Sequence, residues 1–204
     1  MLTQDFTQVT LILRSLIDLP DDEAIKAIKL FQTSLLKRGE FFVRAGEMPK
    51  TIGIIMSGIL RLYYVDSDGN EYSKSFCTEN SFVAAYSALL LQQPSRLFIQ
   101  ALEDTKLMIA DYAVFRELST MHPCWQSLNS KIAEFLFIKK EKRESSLLLD
   151  DATTRYLNFQ AEYPGLETRI KQHHIASYLG ITPVTLSRIR AQLRYSTGVA
   201  TRSR

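Results

Sequence analysis

The chain has 204 residues, 46% hydrophobic and 23% charged, enough for one large domain or two small ones with a real core. No apolar stretch approaches the ~18 residues of a membrane span, and no basic segment leads into an apolar run at the start, so a cytoplasmic protein is expected. The net charge of +3 is bland, and Cys77 and Cys124, 47 positions apart with no CxxC or CxxH partner, speak against a zinc site, an iron–sulfur cluster or a disulfide scaffold.

Residues 1–34 read as helical, with Phe6, Val9, Ile12, Leu13 and Leu16 at helix spacing. Pro20 followed by Asp21, Asp22 and Glu23 marks a second start, because proline suits a first turn and acids favour the positive end of the helix dipole. Ile25, Ile28, Leu30 and Phe31 continue it. Short strand-like runs follow at residues 53–56, 59–65 and 106–110, punctuated by Gly39, Gly46, Gly58 and Gly69, and Asp68-Gly69-Asn70 is a strong turn signal. Closely spaced short strands predict a β-sandwich or barrel, with a jelly roll the best fit, interrupted by a short helix within residues 82–93. After His122-Pro123 the pattern is helical to residue 146: Trp125, Leu128, Ile132 and Phe135 recur at steps of three and four, and residues 139–144 are all charged. Such a helix either packs against a copy of itself or lies on its own domain, and this segment alone does not choose. Another helix, over residues 151–162, stops at Tyr163-Pro164-Gly165.

From Arg169 to Arg204 there are seven basic residues and no Asp or Glu, which leaves 18 basic against 22 acidic residues in the remainder. A cationic end on an acidic chain suits docking to a polyanion, but a solvated basic tail has the same composition, so pattern has to decide. Residues 172–193 read as two helices joined by a tight turn. Ile175, Ala176 and Leu179 line the inner face of the first, and the small Ala176 lets the second cross closely. Gly180 stands where a helix stops in positive φ, and Ile181 plugs the corner. Thr182 caps the second helix with Pro183 at its first position; Leu186, Ile189 and Leu193 form the buried stripe. The spacing Ala-x3-Gly-x5-Leu-x2-Ile is that of a helix-turn-helix.

With Leu186 inward and about 100° per residue, Val184 and Arg188 point almost directly away. Thr185, Ser187 and Gln192 flank them, and Arg190 and Arg194 lie nearer the edges. Arg188 suits a bidentate bond to guanine, and Val184 offers apolar contact to a thymine methyl. Thr182, Thr185, Ser187 and Arg190 are placed for phosphates. His173 and His174, adjacent and without a third ligand, read as surface or phosphate-proximal residues. Residues 196–204 read as a frayed basic tail.

In the order of its parts the chain resembles the Crp/Fnr family of bacterial regulators over nearly all of its length. Gly39, Gly46, Gly58 and Gly69 look like that family's strand-turn glycines. Leu179-Gly180-Ile181-Thr182 with Leu186-Ser187-Arg188 is similar to its recognition signature, L-G-x-[ST]-x-E-[ST]-[VIL]-[SG]-R. The resemblance implies an α+β fold in three parts: a cyclic-nucleotide-binding-like β jelly roll as sensor (residues 1–121), a long dimerisation helix (residues 122–146) presenting Trp125, Leu128, Ile132 and Phe135, and a C-terminal winged helix-turn-helix (residues 147–204). It further implies a homodimer on a pseudo-palindromic site in double-stranded DNA, with RNA polymerase as a candidate partner.

Two departures from the family matter. Val184 stands where the family places Glu, so contact with a cytosine amino group is lost and the preferred site changes. Cyclic-nucleotide-binding members carry F-x-G-E and later R-[ST]-A, whereas the best match here is Phe82-Val83-Ala84-Ala85 followed by Ser95-Arg96-Leu97. A buried phosphate without a paired cation is costly, so cyclic AMP is not expected to bind in the usual way. A pocket at Phe82, Ala84, Ala85, Ser95 and Arg96 is left for an unidentified small molecule or for none. No cofactor follows: the N-terminal cysteine set of oxygen-sensing relatives is missing, and nothing supports a haem site.

The expected function is transcription regulation. No nucleophile–base pair, phosphate-cradling glycine loop or metal set points to an enzyme. The alternative from another class is a small-molecule-binding module acting on a protein partner, against which the basic helix-turn-helix speaks.

Overall fold

The computed structural model describes residues 2–200, with side chains from residue 4 to residue 195. Its elements in chain order are α1 (Leu2–Leu16), α2 (Asp21–Leu30), β1 (Gln32–Leu36), β2 (Phe41–Val43), β3 (Thr51–Ser57), β4 (Leu60–Val65), β5 (Glu71–Cys77), β6 (Phe82–Val83), α3 (Tyr86–Leu91), β7 (Phe98–Ala101), β8 (Thr105–Asp111), α4 (Tyr112–Met121), α5 (Pro123–Leu149), α6 (Ala152–Glu162), a 3-10 turn (Leu166–Thr168), α7 (Gln172–Leu179) and α8 (Pro183–Ala200).

The strands form two four-stranded sheets, ordered β1-β8-β3-β6 and β2-β7-β4-β5. Side-chain alternation sorts their residues into two cores. Ile52, Ile54 and Met56 of β3 join Met108 and Ala110 of β8 in a core shared with Val9 and Leu13 of α1, Ala27 of α2, and Trp125 and Leu128 of α5. Ile55 and Leu107 point the other way, into a core with Leu60, Leu62 and Ile99. The middle strands β3 and β8 are therefore buried on both faces, while β1 at the edge stays largely exposed. That is why β3 reads as a continuous apolar run and not as an alternating one. At the β3–β4 turn, Gly58 has φ +105°, and an added Cβ would lie 2.4 Å from Thr105 Oγ1 and 2.6 Å from Thr105 Cα. Only glycine fits there.

Some expectations need correction. Residues 1–34 are not all helical: α2 ends at Leu30, and Gln32 already pairs with Ile109 in β1. Long-range pairing with β8 overrides the local helical signal. Helix α4 went unread in the sequence, although Asp111 starts it by accepting from Ala113 N–H at 2.8 Å and Val114 N–H at 3.2 Å. The short helix expected within residues 82–93 is α3, preceded by the two-residue strand β6.

Two compact units emerge, Met1–Val65 with Lys74–Phe137, and Asp66–Ser73 with Ile138–Arg204. Tyr156, Phe159, Leu166, Ile175, Leu179 and Leu186 are buried within the second. Helix α8 continues to Ala200 where a frayed tail was expected. Among the described residues of the expected winged domain, 147–200, no strand is present. Among the described residues no helix is long and apolar enough to cross a membrane.

Candidate nucleic-acid interface

Helix α7 ends as its sequence requires. Gly180 caps it at φ +66°, with its N–H donating to Ser177 O at 3.3 Å, and Ile181 N–H donates to Ala176 O at 3.1 Å. At the start of α8, Thr182 Oγ1 accepts from Thr185 N–H at 3.2 Å and lies 3.0 Å from Thr185 Oγ1. Leu186 (0% exposed) and Ile189 (6%) anchor α8 to its own unit. Val184 is 60% exposed, and Thr182, Ser187, Arg188 and Gln192 are exposed, while Thr185 and Arg190 are half-buried. The outward face is thus the one read from the wheel.

Arg190 differs in surroundings from its neighbours: its guanidinium lies 3.9 Å from Glu167 Oε1. Glu167 also accepts from the Tyr156 hydroxyl at 2.6 Å. Burial and that hydrogen bond push the phenol up to about 12. His173 and His174 lie side by side at the start of α7, ring centroids 4.0 Å apart. Among the described residues no group of three or more His, Cys, Asp or Glu is placed to hold a metal. On the same helix, Ser177 Oγ donates to Glu71 O at 2.8 Å and accepts from Ser73 N–H at 2.9 Å.

Behind the turn, two arginines hold the carbonyl end of α7. Arg143 of α5 donates through Nη2 to Tyr178 O, and its guanidinium lies 4.0 Å over the Tyr178 ring. Arg155 of α6 donates through Nε to Leu179 O at 2.9 Å and through Nη1 to Asp150 O at 2.6 Å. Cations are favoured at this negative end of the helix dipole. The Tyr178 hydroxyl donates to Glu162 Oε2 at 2.8 Å, and Lys139 Nζ lies 3.0 Å from Glu162 Oε1. Burial, with Tyr163 and Glu162 nearby, holds the Tyr178 phenol above its ordinary range. None of Lys139, Arg143, Arg155 or Glu162 was singled out from the sequence. On paper each is one more charge on a solvated helix, and no local signal marks them.

The residues expected around an effector are divided between the two cores and the surface. Phe82 and Ala84 pack half-buried against the helix-covered core, whereas Ala85, 2% exposed, belongs to the other one. Ser95 is buried with its hydroxyl closed on its own turn, accepting from Leu97 N–H at 3.0 Å and donating to Leu97 O at 2.8 Å. Arg96 beside it is exposed. A second arginine, Arg61, is only 1% exposed and lies 4.2 Å over the Tyr63 ring. It alternates along β4 with Leu60 and Leu62, so it points away from the core those leucines fill.

Of the residues expected at a dimer contact, Trp125 (1% exposed) and Leu128 (0%) lie in the chain's own core, and Trp125 Nε1 donates to Glu23 Oε2 at 2.7 Å. Ile132 packs half-buried against that core. Phe135 is 63% exposed.

Comparison with known proteins follows the same outline. Residues 34–122 match the family described as the cyclic nucleotide-binding domain. FixK2 from Bradyrhizobium japonicum is similar over 82% of this chain and 86% of its own, with 20% identity and a TM-score of 0.71. A protein from Eubacterium rectale assigned to the Crp/Fnr family of transcriptional regulators is similar over 88% of this chain and 85% of its own, with 16% identity and a TM-score of 0.68. CLP of Xanthomonas campestris, a c-di-GMP responsive global regulator, is similar over 87% of this chain and 93% of its own, with 14% identity and a TM-score of 0.67. No curated protein matches the chain. At these identities the structural likeness is one of fold. Residues 34–122 thus match a cyclic nucleotide-binding domain, and the chain as a whole has the fold of solved regulators that include a Crp/Fnr member.

Proposed function

We propose that the chain is a sequence-specific DNA-binding transcription regulator that works as a homodimer in the cytoplasm and catalyses no reaction. The observation that carries this reading is the outward face of α8, where Val184, Ser187, Arg188 and Gln192 are exposed on a helix held from behind by Leu186 and Ile189. A recognition helix enters the major groove with its N-terminal residues against base edges. Arg188 bonds guanine O6 and N7, and Val184 meets a thymine methyl. Thr182, Thr185 and Ser187 face phosphates. Arg190, drawn toward Glu167, seats the helix.

The second copy docks along α5. Trp125 and Leu128 are already committed to intrachain packing, so the contact lies further on, where Phe135, Ile138, Lys142, Ser145 and Leu149 recur at steps of three and four and are all exposed. That is the a/d spacing of a two-stranded seam, with Lys142 and Ser145 as its polar positions. The sensor does not bind cyclic AMP in the usual way: Arg96 is exposed, and Ser95 has spent its hydroxyl on Leu97. RNA polymerase remains the candidate protein partner.

Selection of bound fragments from random DNA tests the reading. It should return a two-fold symmetric site whose affinity falls steeply as salt rises. Fragments without a common sequence, or binding indifferent to salt, would refute it. A thermal melt with cyclic AMP should stay flat, whereas a ligand present at about 100 times its Kd contributes ~2.7 kcal/mol of stability and moves the midpoint by several degrees.

A further inference from the structure

We propose that Arg143 and Arg155 are positioning residues. They clamp the carbonyl end of α7 to α5 and α6, so that the recognition helix moves with α5 and the dimer accepts one half-site spacing. This inference rests on the dimeric DNA-binding reading above.

The final carbonyls of a helix have no partner within it. In α7 the turn itself takes two of them: Ile181 N–H reaches Ala176 O at 3.1 Å, and Gly180 N–H reaches Ser177 O at 3.3 Å. The next two, on Tyr178 and Leu179, receive guanidinium donors from two other helices, Arg143 of α5 and Arg155 of α6. Arg155 reaches two segments at once, because Nη1 donates to Asp150 O just past the end of α5 while Nε holds Leu179 O. One planar group therefore ties the α5–α6 junction to the end of α7. Lysine, a point charge on a flexible stem, does not reproduce that fork. A third strut, Lys139 to Glu162 to the Tyr178 hydroxyl, joins α5 to α6 and α7. All of these residues lie in the second compact unit, which includes α5 from Ile138 onward.

The consequence is geometric. Gly180 and Thr182 fix α8 against α7, and the arginines fix α7 against the helix that carries the dimer seam. In the dimer the separation of the two recognition helices is then set by α5. One extra base pair between half-sites moves the far one by about 3.4 Å and rotates it by roughly 35°. A rigid clamp does not follow that change; a loose one does.

The test uses the full chain with both arginines replaced, Arg143→Lys and Arg155→Lys, which keeps both charges. The probes are duplexes holding two copies of the selected half-site at the preferred spacing and one base pair either side, plus a duplex with a single half-site. Wild type should prefer its spacing by about tenfold or more, a scale typical of one lost base contact. The double lysine variant should level the three spacings to within about threefold while binding the single half-site as wild type does. A variant that discriminates as sharply as wild type overturns the clamp and leaves the dimeric reading intact. Loss of single half-site binding, or failure to fold, would make the pair a structural element only and also overturns it. A wild type indifferent to spacing would sink the dimeric reading itself.

Discussion

Arg188→Ala and Leu186→Ala lie two positions apart on α8 and should fail in opposite ways. Arg188 is exposed, so its removal should change stability by no more than about 0.5 kcal/mol. A lost bidentate pair with guanine removes roughly 1–3 kcal/mol of discrimination at each half-site, or roughly 5–150-fold. Leu186 is 0% exposed, and Leu→Ala at such a site costs roughly 2–5 kcal/mol. Fluorescence anisotropy at fixed salt should compare the selected site with one in which the contacted guanine is changed, alongside a urea melt of each variant. Arg188→Ala should bind both sites alike and melt as wild type does. Leu186→Ala should lose binding in step with its fold. If Arg188→Ala still tells the two sites apart, the assignment of bases to this face of α8 is wrong.

Three further outcomes are expected. Phe135→Glu with Ile138→Glu places carboxylates on an exposed face, so light scattering should report a monomer of normal fold; a wild type that is itself monomeric removes the seam. Gly58→Ala forces a Cβ to 2.4 Å from Thr105 Oγ1 at φ +105°, and should lower unfolding free energy by about 1–3 kcal/mol in chemical denaturation; an unchanged midpoint contradicts the packing at that turn. Burial raises the Glu162 carboxyl, but Lys139 and the Tyr178 hydroxyl outweigh it and hold the group below its ordinary 4.5. A carboxyl depressed in the folded state contributes stability above its unfolded value, and that contribution is lost as pH falls through the folded one. Melts of the wild type should therefore decline below about pH 4.5, and Glu162→Gln should flatten that decline; parallel profiles would show that Glu162 plays no part.

The helix-turn-helix was legible because everything that defines it is local. Gly180, Thr182, Pro183 and the Leu186–Ile189 stripe lie within a few residues of one another, and caps and turns act over that range. The strand-turn glycines marked the sheets for the same reason: Gly39, Gly46, Gly58 and Gly69 all have positive φ. Strands of two to four residues, β2, β6 and β7, are too short to show a period.

Helix α5 draws the line between what sequence and tertiary structure decide. Its stripe at Trp125, Leu128, Ile132 and Phe135 established that one face is apolar, because periodicity reports amphipathicity. Periodicity does not name the surface that meets the face. Only the packed chain assigns Trp125 and Leu128 to a core shared with α1 and α2 and leaves Phe135 63% exposed. Arg143 and Arg155 make the same point for charge. Their partners on α7 are 35 and 24 residues away, and a guanidinium becomes a helix cap only when folding brings unpaired carbonyls within its reach.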